Sequence, residues 1–202
     1  MFLWVRPPLL GMGDDAPVVE LLISADEIAQ RVAATAQALA PRLRDDAVAV
    51  CLLVGGLWFA ADLTRALALR GKDLAFDGLW LASYGDAHVT SGAVNLRAGL
   101  QRPVKGRQVV VIDDVVDSGA SLAEASRLLT EAGAVEIITV VFARKPWIDR
   151  AMEPDLVAWE APARFLVGYG MDLAGRARGL PYVGAVAFES HAGDDSRASI
   201  DS

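Results

Sequence analysis

The chain of 202 residues reads as an α/β protein, a doubly wound and mostly parallel sheet carrying a small hood subdomain, on three observations. Apolar runs of strand length alternate with stretches whose apolar residues recur every three to four positions, the pattern of strands joined by crossover helices. One run, residues 109–112, is four β-branched residues in succession, as expected of a parallel strand covered on both faces. After Pro146 the pattern changes to short strands and turns, which reads as a hood built on the core.

In chain order, residues 1–20 form a loosely held N-terminal extension, and one domain spans 21–188 with its hood over about 147–188. Ser24 followed by Glu27 is a capping box, opening a helix with Ile28, Val32 and Leu39 on one face. Pro41 ends or bends that helix. Residues 47–54 read as a buried strand, Gly55-Gly56 as a tight turn, and 57–70 as a helix. A further strand covers 79–84. Residues 85–100 are small and polar with weak periodicity, the composition of a long mobile loop of the kind that covers active sites. A helix over about 121–132 follows the 109–112 strand and closes at Gly133 in the position of a C-cap. Residues 136–143 are another strand, and 156–160, 165–169 and 182–188 supply the hood. The polar segment 189–202 reads as a disordered tail.

Composition narrows the function. A hydrophobic fraction of 53%, a charged fraction of 22% and a net charge of −7 describe a globular protein with no broad electrostatic footprint for nucleic acid or anionic membrane. Cys51 is the single cysteine, so no disulfide framework or cysteine-rich metal site is available, and its apolar surroundings read as those of an inert thiol. Arg6, Pro7 and Pro8 interrupt the early apolar residues, against a secretory signal. The uncharged stretch 47–61 is short for a membrane span and is broken by Gly-Gly. The expectation is a cytoplasmic protein.

The chemistry concentrates after the 109–112 strand. Asp113 and Asp114 fall at its carboxyl end, where open α/β sheets place their ligands. Asp117 precedes the small-residue turn Ser118-Gly119-Ala120-Ser121, whose free backbone N–H groups and following helix favour an anion such as phosphate. Carboxylates beside a phosphate site would repel it, so they point to sugar hydroxyls and a divalent cation. A solvated acidic turn or the acidic pair of a receiver domain would account for the acids but not for the turn. Gly55-Gly56, at the end of another core strand, lets backbone amides approach an anion closely. Lys145, one of only three lysines, follows the strand 136–143 and can hydrogen-bond a carbonyl oxygen. His88 is a lone loop histidine with no assigned role.

Residues 109–122, VVVIDDVVDSGASL, closely resemble the ribose-phosphate signature of type I phosphoribosyltransferases, which bind phosphoribosyl pyrophosphate (PRPP). Residues 157–160 and 164–172, with Arg178 six residues beyond Asp172, resemble the purine-binding hood of the hypoxanthine-guanine branch of that family. The resemblance runs from about Leu21 to Phe188 and implies the type I phosphoribosyltransferase fold. It also implies roles for single residues. Asp113 and Asp114 would hold the ribose hydroxyls and Mg²⁺, and Asp117, Ser118, Gly119, Ala120 and Ser121 the 5′-phosphate. Asp117 would be the acid-base residue at purine N7. Val54 and Gly55 would bind pyrophosphate through main-chain groups after a cis Leu53–Val54 peptide. Many 6-oxopurine members carry Lys or Arg where this chain has Val54. Ser83 and Tyr84 would open the catalytic lid, and Arg178 would contact pyrophosphate. Lys145 would bind purine O6, Phe165 would stack on the base, and the Leu166 main chain would read its edge. Asp172 would lie near the metal, directly or through water.

The function so implied is purine salvage: a 6-oxopurine, hypoxanthine or guanine, and PRPP give IMP or GMP and pyrophosphate. The implied partners are those two substrates and a homodimer or homotetramer, with no nucleic acid and no membrane. Three readings stay open beside it: an enzyme preferring xanthine, a PRPP-binding pseudoenzyme, and an RNA-binding attenuator on the same fold. The net charge of −7 and the lack of a basic stripe weigh against the last.

Overall fold

The structure is a computed structural model that describes residues 4–5, 18–83 and 94–187. Its strands are β1 (Trp4–Val5), β2 (Val18–Ile23), β3 (Val48–Leu53), β4 (Ala75–Ser83), β5 (Val94–Ala98), β6 (Gln108–Val116), β7 (Glu136–Arg144), β8 (Leu156–Glu160), β9 (Leu166–Val167) and β10 (Val183–Ala187). Its helices are α1 (Ala25–Leu39), α2 (Leu57–Ala68) and α3 (Ala120–Glu131). The main sheet has the order β5-β4-β3-β6-β7-β8, parallel except for the antiparallel β4–β5 pair. A second sheet, β1-β2-β10-β9, is antiparallel and forms the hood.

Strand β6 lies at the centre because it can be buried on both sides. Val109, Val110, Val111 and Ile112 are all 0% exposed. Val110 and Ile112 pack into a core with α1 and α2, through Ile28, Val32, Phe59 and Leu63. Val109 and Val111 pack on the opposite face against Leu122, Ala125 and Leu129 of α3. Ser24 caps α1 as its sequence implies, its hydroxyl accepting from Glu27 N while the Glu27 carboxylate accepts from Ser24 N. The first core also takes in Leu166, Tyr169, Val183 and Ala185, so the hood shares its interior with the main sheet.

Three placements differ from those expected. The extension over residues 1–20 contributes β1 and the start of β2, which pair into the hood sheet. β2 is apolar at five of its six positions and is paired on both sides, by β1 and by β10. Residues 156–160 extend the main sheet as its edge strand β8, parallel to β7, and do not join the hood. Residues 94–98, expected within a loop, pair antiparallel with β4. Their apolar-polar alternation spans only five residues, and Leu96 is exposed, as Arg97 is, so no core-facing apolar side marks the strand. Residues 85–93 of the expected loop and the tail 189–202 lie outside the described residues, as do Tyr84 and His88. No helix among the described residues is long and apolar enough to cross a membrane.

Asp77 fastens the return from β5. Its buried carboxylate accepts from Gln101 N (2.8 Å), Arg102 N (2.7 Å) and Gly78 N (2.8 Å). Asp77→Ala leaves three backbone donors without this acceptor and should lower unfolding free energy by roughly 2–4 kcal/mol in urea titrations. A change below about 0.5 kcal/mol, the range of ordinary surface substitutions, would show that the return is held by other contacts.

Candidate active site

The pairing registers bring the candidate residues to one edge of the main sheet. β3 and β6 run parallel with Cys51 opposite Ile112, so the turn at Val54, Gly55 and Gly56 lies beside Asp113 and Asp114. β6 pairs with β7 as far as Val116 opposite Arg144, whereas its recorded pairing with β3 stops at Ile112. The two carboxylates therefore stand within a strand that overhangs one neighbour. Cys51 is buried beneath them, and burial, then the charges of Asp113 and Asp114, push its thiol up to about 12. That is the inert thiol its sequence context implies.

The glycines on this edge are steric requirements. A Cβ on Gly55 would lie 2.2 Å from Asp114 Oδ2, and one on Gly56 would lie 2.8 Å from the Leu52 carbonyl oxygen and 2.9 Å from that of Ile112. Gly170 of the hood has φ +103°, and a Cβ there would sit 2.2 Å from the Gly55 carbonyl oxygen. The Leu53–Val54 peptide is cis. Val54 itself is exposed.

Burial, and then the neighbouring charge of Asp114, hold Asp113 well above the usual carboxylate range. Burial also raises Asp114, against the hydrogen bond with the Asp113 side chain, the Val115 N–H and the charge of Arg178. Asp113 Oδ1 accepts from Asp114 N at 3.0 Å, and Asp114 Oδ1 from Val115 N at 2.9 Å. Among the described residues no third His, Cys, Asp or Glu joins them in a metal-binding group. Two adjacent carboxylates, both raised by burial, would fit a divalent cation completed by water and substrate oxygens. Asp172 is otherwise engaged: Oδ1 pairs with Arg178 Nη2 at 2.6 Å and Oδ2 accepts from Gly175 N at 2.6 Å. A cation beside it would meet it through water without breaking either contact.

The turn after β6 is shaped by Gly119, which has φ +74° and acts as the N-cap of α3. Asp113, Asp117, Ser118, Gly119, Ala120 and Ser121 line a cavity of about 90 Å³ there. That is room for roughly three waters at ~30 Å³ each, or one compact anion such as phosphate. At its rim Lys145 Nζ donates to Asp117 Oδ2 at 3.0 Å. Phe165 is 42% exposed just before β9, and its carbonyl accepts from Val186 N. By the alternation of an antiparallel ladder, the Leu166 main chain then faces away from β10. Ser83 ends β4, and its side chain, like all of Tyr84, lies outside the described residues.

The hood is tied to the core through Tyr169 and Arg178, and one of their partners, Asp62, carries no sequence signal. The buried Tyr169 ring meets Phe142 edge-on at 4.8 Å, and its hydroxyl donates to Asp62 on α2 at 2.9 Å. Burial, then Asp62, raise that phenol above its usual value. Arg178 Nη1 donates to the Gly170 carbonyl at 2.5 Å, closing the hood turn against Gly55. Asp62 sits one helix away in an ordinary amphipathic pattern, and no local signal singles it out.

A family model described as "Phosphoribosyl transferase domain" matches residues 24–172. The chain is 34% identical over 171 residues to the hypoxanthine-guanine phosphoribosyltransferase of Bacillus subtilis, covering 84% of this chain and 93% of that protein. It is 31% identical over 172 residues to the hypoxanthine phosphoribosyltransferase of Escherichia coli, covering 83% and 95%. The crystal structure of a Staphylococcus aureus hypoxanthine phosphoribosyltransferase superposes with a TM-score of 0.77 at 25% identity, covering 83% of this chain and 91% of that one. The Trypanosoma cruzi enzyme in complex with its product IMP superposes with a TM-score of 0.75, covering 83% and 93%.

The raised carboxylates make a stability prediction. A folded state that retains these protons above the ordinary carboxylate range binds more protons than the unfolded chain, so stability falls as pH rises from that range to the raised values. The cost is fully present at higher pH and absent below the ordinary range. Asp113→Asn should therefore raise the Tm near neutral pH, with the gain shrinking as pH falls into the ordinary carboxylate range. A lowered Tm near neutrality, or a gain independent of pH, would show that the buried charge of Asp113 is not what is relieved.

Proposed function

This chain belongs to the phosphoribosyltransferase family, and from that premise we propose that it transfers the phosphoribosyl group of PRPP to a 6-oxopurine, hypoxanthine or guanine, giving IMP or GMP and pyrophosphate. One observation carries the choice of base: the Asp117 carboxylate and the Lys145 ammonium lie 3.0 Å apart at the rim of the phosphate-sized cavity. A 6-oxopurine presents N7 and O6 side by side on one edge. An acceptor for the N7 proton and a donor to O6 must then be neighbours, as these two are. Adenine carries an amino group in place of O6 and would face Lys145 donor to donor.

The roles follow from the chemistry at each position. The turn at 117–121 holds the 5′-phosphate on backbone amides at the start of α3. Asp113 and Asp114 accept from the ribose hydroxyls and bind Mg²⁺, with Asp172 contributing through water. When bound, Mg²⁺ supplies charge neutralisation of the departing pyrophosphate. Main-chain groups at Val54 and Gly55, with Arg178, hold the pyrophosphate, and Ser83 and Tyr84 belong to the lid over it. Phe165 stacks on the base, and the Leu166 main chain reads its far edge. As the bond to N9 forms, Asp117 takes the proton from N7, and Lys145 stabilises negative charge gathering on O6. The sugar passes through an oxocarbenium-like state, so rate comes from positioning and charge without a covalent enzyme intermediate. The functional unit in this reading is a homodimer or homotetramer.

Pyrophosphate release from PRPP and Mg²⁺, with hypoxanthine, guanine, xanthine and adenine offered separately, tests the reading. Turnover is expected with hypoxanthine or guanine and not with adenine. Turnover only with xanthine reassigns the base, and PRPP binding without turnover on any base overturns the enzymatic reading. Asp117→Asn should leave nucleotide binding nearly intact and slow turnover by roughly 10²–10⁴-fold; unchanged turnover removes Asp117 from proton transfer. Chelation of divalent cation should abolish turnover and added Mg²⁺ restore it, whereas full activity in chelator would discard the metal.

A further inference from the structure

The segment that follows β7 is stapled to the phosphate turn along its length. Lys145 N donates to the Val116 carbonyl at 3.2 Å, and Ala151 N donates to that of Ser118 at 2.8 Å. Met152 lies so close to Gly119 that a Cβ there would be 2.5 Å from its carbonyl oxygen. Within the segment the usual order of burial is reversed. Trp147 is 44% and Ile148 89% exposed, while the side chain of Arg150 is 3% exposed. Apolar burial is therefore not what fixes this conformation. Arg150 Nη2 donates to the Lys145 carbonyl, and Nη1 donates to Glu153 Oε1 at 2.7 Å. Its Nε is buried with no hydrogen-bond partner among the described residues. A guanidinium taken out of water with a donor unmet is costly, and such a cost is retained where geometry matters.

We propose that Arg150 is a positioning residue: by clamping the Lys145 carbonyl it fixes the backbone from which the Lys145 ammonium reaches Asp117. Lys145 has four rotatable side-chain bonds, so its ammonium stays at the base edge only if its own backbone is fixed. The only other donor to the Lys145 carbonyl among the described contacts is Trp147 N, two residues on, at 2.9 Å. That local turn moves with the segment, whereas Arg150 closes the segment on itself across five residues. Glu153 holds Arg150 from the far side and is in turn paired with Arg144 at 3.3 Å, which pairs with Glu160 at 2.6 Å. The inference rests on the roles given above to Lys145 and Asp117.

The test is a double-mutant cycle on the full chain, with kcat and KM for hypoxanthine and for PRPP and the Tm of each variant. Arg150→Ala should lower kcat/KM for hypoxanthine by roughly tenfold to a hundredfold, the scale of a misplaced catalytic group, and leave KM for PRPP nearly unchanged. In a Lys145→Ala background the same change should add less than about twofold, because both act through one group. Arg150→Lys, which can still reach a carbonyl, should recover part of the loss. Glu153→Gln, which keeps the clamp, should stay close to the parent. Full additivity of Arg150→Ala and Lys145→Ala overturns the proposal. So does a loss in Glu153→Gln equal to that of Arg150→Ala, or a loss that follows Tm across the set. A Lys145→Ala variant with parental kcat/KM overturns instead the reading of Lys145 itself, and is told apart because it needs no Arg150 variant.

Discussion

Two adjacent carboxylates at the end of the most deeply buried strand are the constraint on which the rest of the site depends. Neither Asp113 nor Asp114 has a Lys or Arg in direct contact among the recorded hydrogen bonds and ion pairs, and burial raises both. Three glycines leave them room. Gly55 leaves space against Asp114, Gly56 leaves space against the β6 backbone, and Gly170 closes over Gly55. Arg178 approaches from the hood and lowers the cost at Asp114 from a distance. A side chain at any of those glycines would collide with backbone or with the acid itself. Function and stability are opposed here, and the fold carries the cost at its centre.

The site divides into a half made by local sequence and a half made by distant pairing. The carboxylates and the phosphate turn come from one continuous strand-turn-helix unit, residues 108–131. Lys145, Phe165, Asp172 and Arg178 arrive from segments whose position depends on which strand pairs with which. Lys145 is held on the first half by its bonds to Val116 and Asp117, and the hood is held on α2 and β7 through Tyr169.

That division explains what could be read from the chain. Strand β6, the Asp113-Asp114 pair, the turn at Gly119 and the α1 capping box were legible, because each rests on neighbours within a few residues. The main sheet was legible because strands buried on two faces are continuous apolar runs. Residues 94–98 were not, since an alternation of only five residues with Leu96 exposed at the sheet edge does not stand out from a loop. Leu156–Glu160 was recognised as a strand but given to the wrong sheet: its sequence fits either edge, and only pairing with β7 decides. The early segment reads as an extension because β2 is paired by β10, more than 150 residues later. The pairing of Lys145 with Asp117 was likewise invisible, though each residue had been singled out for its own reasons.

The antiparallel ladder between β2 and β10 also sets an order of assembly. Val18–Ile23 stays without its partner strand until Val183–Ala187 exists, whereas β3, β6, β7 and their helices can close on one another much earlier. On a ribosome the strand-turn-helix unit proposed above to hold the sugar phosphate can therefore form before the hood sheet proposed to carry the base wall. In that reading the phosphate turn precedes the base wall in the order of synthesis. Competence for transfer comes only when the two distant segments meet.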